Sequence, residues 1–287
     1  MVASMTAFAR AGGEGEWGTA TWELRSVNHR FLEISLRLPE ELRPLEPEVR
    51  GRLTAALHRG KVDATLRFAP AAGRRPIELD AAACEQLHQA LREVEGLLTN
   101  PAPISALEFL QWPGVIRGQE LPLDELRADL LQILDRALAE LVASRQREGA
   151  HLAGLIRSRC EALLEQVERL RARMPEILQG LRQRLVERLS GLETEIDPQR
   201  LEQELVLLVQ KMDIAEELDR LEGHVKEVLR VLEQKGAIGR RLDFLMQELN
   251  REANTIGSKS AHADTSAASV EMKVLIEQMR EQVQNIE

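Results

Sequence analysis

Five side chains in the last third of the chain have the residue types and spacing that could share a divalent ion beside a base. Asp213, Glu217 and His224 follow one another at intervals of four and seven, and Glu248 and Glu252 are four apart. On helices, each set falls on one face. Only a short break around Lys235 to Gly239 separates the two segments, so they are expected to pack as an antiparallel hairpin. That brings the carboxylates and the imidazole towards one site. Like charges gathered this way either take up protons or recruit a cation. Ligand type selects Mn or Mg, held by Asp213, Glu217, Glu248 and Glu252. Such an ion activates water or stabilises a leaving oxygen, with His224 able to move a proton. The candidate catalytic groups are therefore His224, Glu217, Glu248 and Glu252. The competing reading is structural: Arg220 can bridge Glu216 and Glu217 on a solvated face.

Basic and amide side chains surround these acids. Asp243, Gln247, Asn250 and Asn254 form a line at i, i+4, i+7 and i+11, although asparagine is a poor helix former. Arg240, Arg241 and Lys259 are candidate phosphate contacts; Arg251 can equally pair with a neighbouring acid. Near the start, Asn28, His29 and Arg30 separate two strands, on a bend where a ligand could reach them. With Arg25, Arg37, Arg59 and Lys61 they could follow a phosphate backbone. The module lacks the two aromatic positions of an RNA-recognition sheet, which argues against base stacking. Trp17 and Trp22 read as packing residues.

These groups need elements to position them. Leu32, Ile34, Leu36 and Leu38 alternate with polar residues, as do Val62, Ala64, Leu66 and Phe68. Met5–Ala11 and Glu16–Val27 read as two further strands, with AGGEG as their turn. A short helix opened by Pro44 and Pro47 and lined by Leu45, Val49, Leu53 and Leu57 covers the sheet. After a linker at 70–76 the chain reads as helical, including Ala81–Leu98 and a short helix capped by Ser105. The stretch from Leu126 to about Ser190 is expected to form an arm, bent near Gly149, Gly154, Pro175 or Gly180 or folded as a hairpin. Its stripe of Leu152, Leu155, Ile156, Leu163, Val167 and Leu170 needs a partner surface, and a second copy of the chain is the expected one. Three helices follow, at Pro198–Gln234 (capped by Asp197), Gly239–Asn254 and Thr265–Gln284, with Thr255–Ala263 as a polar loop. The fold class is α+β, mainly α overall. The expected division is 1–76, a basic α+β module; 77–195, an oligomerising helical arm; and 196–287, a helical domain with the acidic cluster.

Composition narrows the classes. The chain has 287 residues, 44% of them hydrophobic, with a net charge of −9. Residues 21–75 carry eleven basic against seven acidic side chains, so a basic module is joined to an acidic remainder. That suits a protein that holds a polyanion with one part and cations with the other. No long apolar run or leader stands out, so no membrane partner and a cytoplasmic location are expected. Cys84 and Cys160 read as reduced thiols. Nucleotide-binding and serine-nucleophile motifs are absent.

Several segments together resemble the bacterial YicC family. They are MTAFAR (Met5–Arg10), GEWGTATWELRSVNHRFLE (Gly15–Glu33), RLPEELRPLEPEVR (Arg37–Arg50) and RGKVDATLRF (Arg59–Phe68). MDIAEELDRLEGHV (Met212–Val225), GRRLDFLMQELNREANTIGSKS (Gly239–Ser260) and the tail REQVQNIE (Arg280–Glu287) continue the likeness. It covers both ends of the chain. At Thr265 to Ser269 the chain has TSAAS where apolar residues are expected, a departure expected to loosen the start of the last helix. The resemblance implies a metal-dependent endoribonuclease that assembles into multimers, a hexamer among the possible forms. It implies Mn or Mg on the acids, and RNA on Arg25, Asn28, His29, Arg30, Arg59, Lys61, Arg240, Arg241, Asn250, Asn254 and Lys259. A non-catalytic oligomeric adaptor that presents RNA to another nuclease is the alternative; it would have little use for acids facing a polyanion. A structural coiled-coil protein is a third reading, which leaves the Asn-rich helix unexplained.

Overall fold

A computed structural model describes residues 2–71, 78–100, 102–116, 123–190, 198–234, 236–260 and 262–287. Asp197 and most of the linker at 70–76 lie outside them. Four strands form one sheet: β1 (Ala7–Gly15), β2 (Gly18–Val27), β3 (Leu32–Arg37) and β4 (Gly60–Pro70), in the order β1-β2-β4-β3. β3 runs parallel to β4 and so needs a crossover. A 3-10 turn at Glu40–Leu45 and helix α1 (Glu46–Ala56) supply it, burying Leu42, Leu45, Val49 and Leu53 on the sheet.

The AGGEG segment is not a turn. β1 runs on through Gly15, and the reversal is the pair Glu16–Trp17, with Gly15 opposite Gly18. Gly18 has φ +124°, and a Cβ there would lie 2.1 Å from the Ala69 carbonyl oxygen. Gly13 serves a different purpose: a Cβ on it would meet the Ile133 side chain at 2.7 Å. Glycine here marks the close approach of a helix to the strand.

Next come α2 (Ala81–Leu97) and α3 (Ala106–Gln111), neither of which buries a residue. Then comes α4, a single helix over Leu123–Ser190. At 68 residues its contour is about 100 Å. The hairpin alternative is thereby excluded, and Pro175 is carried inside the helix. Gly149 does not break the helix; it lets the N-terminal segment cross, since a Cβ there would lie 2.3 Å from the Val2 carbonyl oxygen. The helix serves two cores. Leu126, Leu130, Leu134 and Leu141 pack beneath the sheet with Trp22, Leu24 and Val62. Leu152, Ile156, Leu163, Val167 and Leu170 pack with the C-terminal helices. The stripe assigned to a second copy is therefore covered within the chain. Trp17 and Trp22 are packing residues, donating to Asp129 Oδ2 at 2.8 Å and to the Leu130 carbonyl at 2.9 Å.

The C-terminal part holds α5 (Pro198–Met212), α6 (Ala215–Val231), α7 (Gly239–Ser258) and α8 (Ala263–Val283). The single helix expected over Pro198–Gln234 is broken at Asp213 and Ile214. The Asp213 carboxylate accepts from the Ala215 amide at 3.0 Å, taking up an amide at the start of α6. α7 runs further than expected because Ile256 extends its buried stripe. The TSAAS departure does not loosen α8. Thr265 and Ser269 are buried, the Ser269 hydroxyl donates to the Ala253 carbonyl at 2.9 Å, and a Cβ on Gly257 would meet that hydroxyl at 2.7 Å. Small residues here bring α7 and α8 close together.

Both chain ends meet at the junction of the two cores. Ser4 bridges Ile286, and the Met5 amide donates to the Asn285 carbonyl at 2.8 Å. Arg145 of α4 lies beneath them, its side chain 3% exposed. Its Nε donates to the Ser4 carbonyl at 2.6 Å, and its Nη2 to Glu287 Oε2 at 2.8 Å and the Arg59 carbonyl at 3.3 Å.

Candidate active site and nucleic-acid contacts

α6 and α7 do lie antiparallel, tied by ionic rungs. Glu227 pairs with Arg241 at one end. Glu252 Oε1 lies 3.9 Å from Arg220 Nη1 further along, and Glu217 Oε1 accepts from Lys259 Nζ at 2.8 Å at the other end. The register differs from expectation. Glu217 faces Lys259, not Glu248 or Glu252. His224, half-buried, sits between the Arg220 and Glu227 rungs in sequence. Arg220 also pairs with Glu216, one half of the structural reading; the other half fails, because Glu217 pairs with Lys259.

Two acids of the seam are buried, Glu217 at 6% and Glu252 at 5% exposure. The Glu217 Oε2 atom is buried and has no hydrogen-bond partner. A carboxylate oxygen left in this state is costly unless something occupies it. Asp213 departs from its expected role: it is exposed, its carboxylate caps α6, and its backbone carbonyl accepts from Lys259 Nζ at 2.8 Å. Glu248 is half-buried. Among the described residues no three His, Cys, Asp or Glu side chains converge closely enough to enclose a metal ion. The expected four-carboxylate cage is therefore not assembled. What exists is a pair of buried carboxylates, one with a free oxygen. That donor set fits Mg or Mn, which bind through one or two carboxylates and complete their shell with water and phosphate.

The candidate phosphate-contact residues are also dispersed. Arg240 and Arg241 stand at the first turn of α7, and Lys259 follows its last. A 20-residue helix separates them by about 30 Å, so they cannot hold the same phosphate. Arg241 is engaged by Glu227, while Arg240 is exposed and makes no ion pair among the described residues. Asn250 and Asn254 lie on a different side of α7 from Glu252 and Lys259. With Gln247, Arg251 and Arg280 they line a groove of about 540 Å³ between α7 and α8. Arg251 makes no ion pair among the described residues, and Arg280 stands in the tail REQVQNIE with nothing in its spacing to mark it as a contact.

In the N-terminal module Asn28 Nδ2 donates to the Gln284 carbonyl at 2.7 Å, docking the β2–β3 bend on the end of α8. Arg59 Nε donates to the His29 carbonyl at 3.1 Å, and His29 and Lys61 lie against Glu33. Arg25 and Arg30 are exposed and make no ion pair among the described residues. Two aromatics on this surface escaped the sequence reading: Phe8 and Phe31 are 58% and 60% exposed.

Comparison with known proteins bears on these arrangements. Residues 2–154 match the family described as Endoribonuclease YicC-like, N-terminal region, and residues 170–287 match Endoribonuclease YicC-like, C-terminal. The two matches flank a short stretch of α4. The chain is 45% identical over 288 residues to the probable endoribonuclease YicC of Haemophilus influenzae, covering 100% of both chains. It is 33% identical over 298 residues to the probable endoribonuclease YicC of Clostridioides difficile, again covering 100% of both. With both halves matched and full-length relatives above 30% identity, the chain belongs to the YicC-like endoribonuclease family.

Proposed function

We propose that this chain is a divalent-metal-dependent endoribonuclease whose chemistry takes place at the α6–α7 seam around Glu217. One observation carries this reading: a buried carboxylate with a partnerless oxygen stands beside the Lys259 ammonium. Glu217 and Glu252 are the ligands offered to Mn or Mg. The bound ion would supply water activation or stabilisation of the leaving oxygen. Lys259 is placed to meet a phosphate oxygen once it turns from Glu217, and its amine is the seam's cation nearest the open carboxylate. His224 is the group assigned to proton transfer. Arg25, Arg30 and Lys61 hold flanking RNA by its backbone, and Arg240 marks a path between the two regions.

The active form in this reading is a homo-oligomer. The support is no longer the stripe on α4, but the exposed Leu97, Leu107 and Trp112 of the α2–α3 segment. Static light scattering at micromolar concentration checks it; a monomer would remove it.

A second reading has an observation of its own. Glu217 and Glu252 each have a cationic neighbour, as structural ion pairs would, and this favours a non-catalytic RNA-presenting adaptor. Purified chain incubated with a labelled hairpin RNA separates the two. Cleavage that needs Mn or Mg and stops in EDTA supports the nuclease. Binding without cleavage under every metal condition supports the adaptor.

A further inference from the structure

The chain has five phenylalanines and no tyrosine, yet it leaves Phe8 and Phe31 mostly exposed on one module. Single exposed apolar side chains are ordinary; what surrounds these two is not. Phe8 points away from the core on β1 and pairs with Arg25 on β2, side by side on the open face of the sheet. Phe31 sits at the bend leading into β3, with the Arg30 guanidinium carbon 5.2 Å from its ring centroid. Lys61 on β4 lies opposite Val27 and Glu33, between the two rings.

The other sheet face is filled by α1 and α4, so this is the face left to solvent. Two of its acids are engaged, Glu23 by Arg67 at 3.1 Å and Arg10 at 3.7 Å, and Glu33 by Lys61 at 3.1 Å; a third, Asp63, stands beside Arg25 in the strand register. Among the described residues Arg25 and Arg37 make no ion pair, and the face's arginines and lysine still outnumber its acids. The face thus offers isolated flat rings separated by surplus positive charge. From the strand register, the two rings stand three strands and about four residues apart, on the order of 20 Å. That spacing suits a short run of unpaired nucleotides crossing the sheet diagonally.

We propose that the open sheet face is a stacking platform for single-stranded RNA, with Phe8 and Phe31 each taking an unpaired base and Arg25 and Lys61 contacting the phosphates between them. The choice of RNA rests on the function proposed above; the platform adds the single-stranded form and the residues that grip it. Stacking on a ring tolerates any base, because every base has a π-face.

The test is fluorescence anisotropy in EDTA, with a labelled uridine oligonucleotide about 12 nucleotides long and a duplex of equal length, the length following the site sizes of single-strand binders. Wild type should prefer the single strand. Phe8→Ala and Phe31→Ala should each weaken it by about 5- to 150-fold without changing the dependence on salt. Arg25→Ala should lower the salt slope by about 0.7, the single-strand value for one phosphate. Phe31→Trp should retain affinity, with indole fluorescence quenched on binding. Both alanine variants within twofold of wild type would overturn the platform. So would alanine variants that alter self-association in sedimentation while leaving RNA affinity untouched, which would assign the face to a second copy. Hairpin cleavage in Mn is scored separately. Phenylalanine-dependent binding without cleavage keeps the platform and removes the nuclease; cleavage with phenylalanine-independent binding does the reverse.

Discussion

Replacing Arg145 should damage the fold more than replacing any exposed arginine. Its guanidinium is 3% exposed and holds three acceptors at once: the carbonyls of Ser4 and Arg59, and the Glu287 carboxylate. Burial pulls its pKa below the ordinary arginine value, and Glu287 pushes it back up. Arg145→Met fills similar space but strands two carbonyls and a carboxylate that is 17% exposed. Removing one partner of a buried pair costs about 3–5 kcal/mol. For domains of this size each kcal/mol moves Tm by roughly 2–4 °C, giving a fall of about 6–20 °C. Arg145→Lys keeps the charge but loses the planar fork, and should fall between wild type and Met. Arg136→Ala, which removes one exposed bond to the Gly12 carbonyl at 3.0 Å, is the control and should cost under about 1.5 kcal/mol. Thermal melts followed by circular dichroism decide it. An Arg145→Met melt within about 2 °C of wild type would refute the claim that this side chain clasps the two cores.

Other expectations follow from single sites. Burial, with Glu161 adding to it, pushes the Cys160 thiol up to about 12, so it should resist iodoacetamide at pH 8; mass spectrometry should find it alkylated only after unfolding, and labelling in the native protein would contradict its burial. Hydrogen bonds from Lys226 and Arg171 hold the Glu222 carboxyl below its ordinary 4.5. A depressed folded pKa means these contacts contribute fully above about 4.5 and fade as pH falls through the lower folded value. A carbon-detected NMR titration with a midpoint at or above 4.5 would contradict that. RNA affinity should fall steeply with salt, and Arg25→Ala, Arg30→Ala and Lys61→Ala combined should weaken it without unfolding the chain. Unchanged low-salt affinity would move the RNA path elsewhere.

Much of this architecture was legible in the residues, and the losses have physical causes. Alternation in Val62–Phe68 and the apolar stripes of α6 and α7 are local patterns, and they became the observed elements. What covers a stripe is not local. The apolar line on α4 reads the same whether it meets another copy or the chain's own C-terminal helices. Gly13 and Gly149 read as punctuation because sequence does not distinguish a glycine that turns from one that admits a neighbour. Asp213 continued the helical spacing of Glu217 while its carboxylate captured the Ala215 amide and ended that helix. The antiparallel pairing of α6 and α7 was foreseeable from the short break between them. Its register was not: Arg220 rather than an acid stands against Glu252, and Glu217 meets Lys259, so a ladder of acid–base rungs replaces the four-carboxylate cage. Nothing in the helix around Arg145 announces that both chain ends cross it. Phe31 had a faint signal, as an aromatic directly after SVNHR in a chain poor in aromatics.

Single-turnover cleavage of a labelled hairpin RNA in Mn, with wild type beside Glu217→Gln and Glu252→Gln, tests the central claim most directly. Each substitution keeps side-chain volume and removes one carboxylate of the buried pair. Each should lower the cleavage rate by at least about 100-fold, with RNA binding equal or slightly tighter because a negative charge is gone. The exposed Glu216→Gln should cut like wild type. Full cleavage by both buried-site variants would contradict the account and place the chemistry away from the α6–α7 seam.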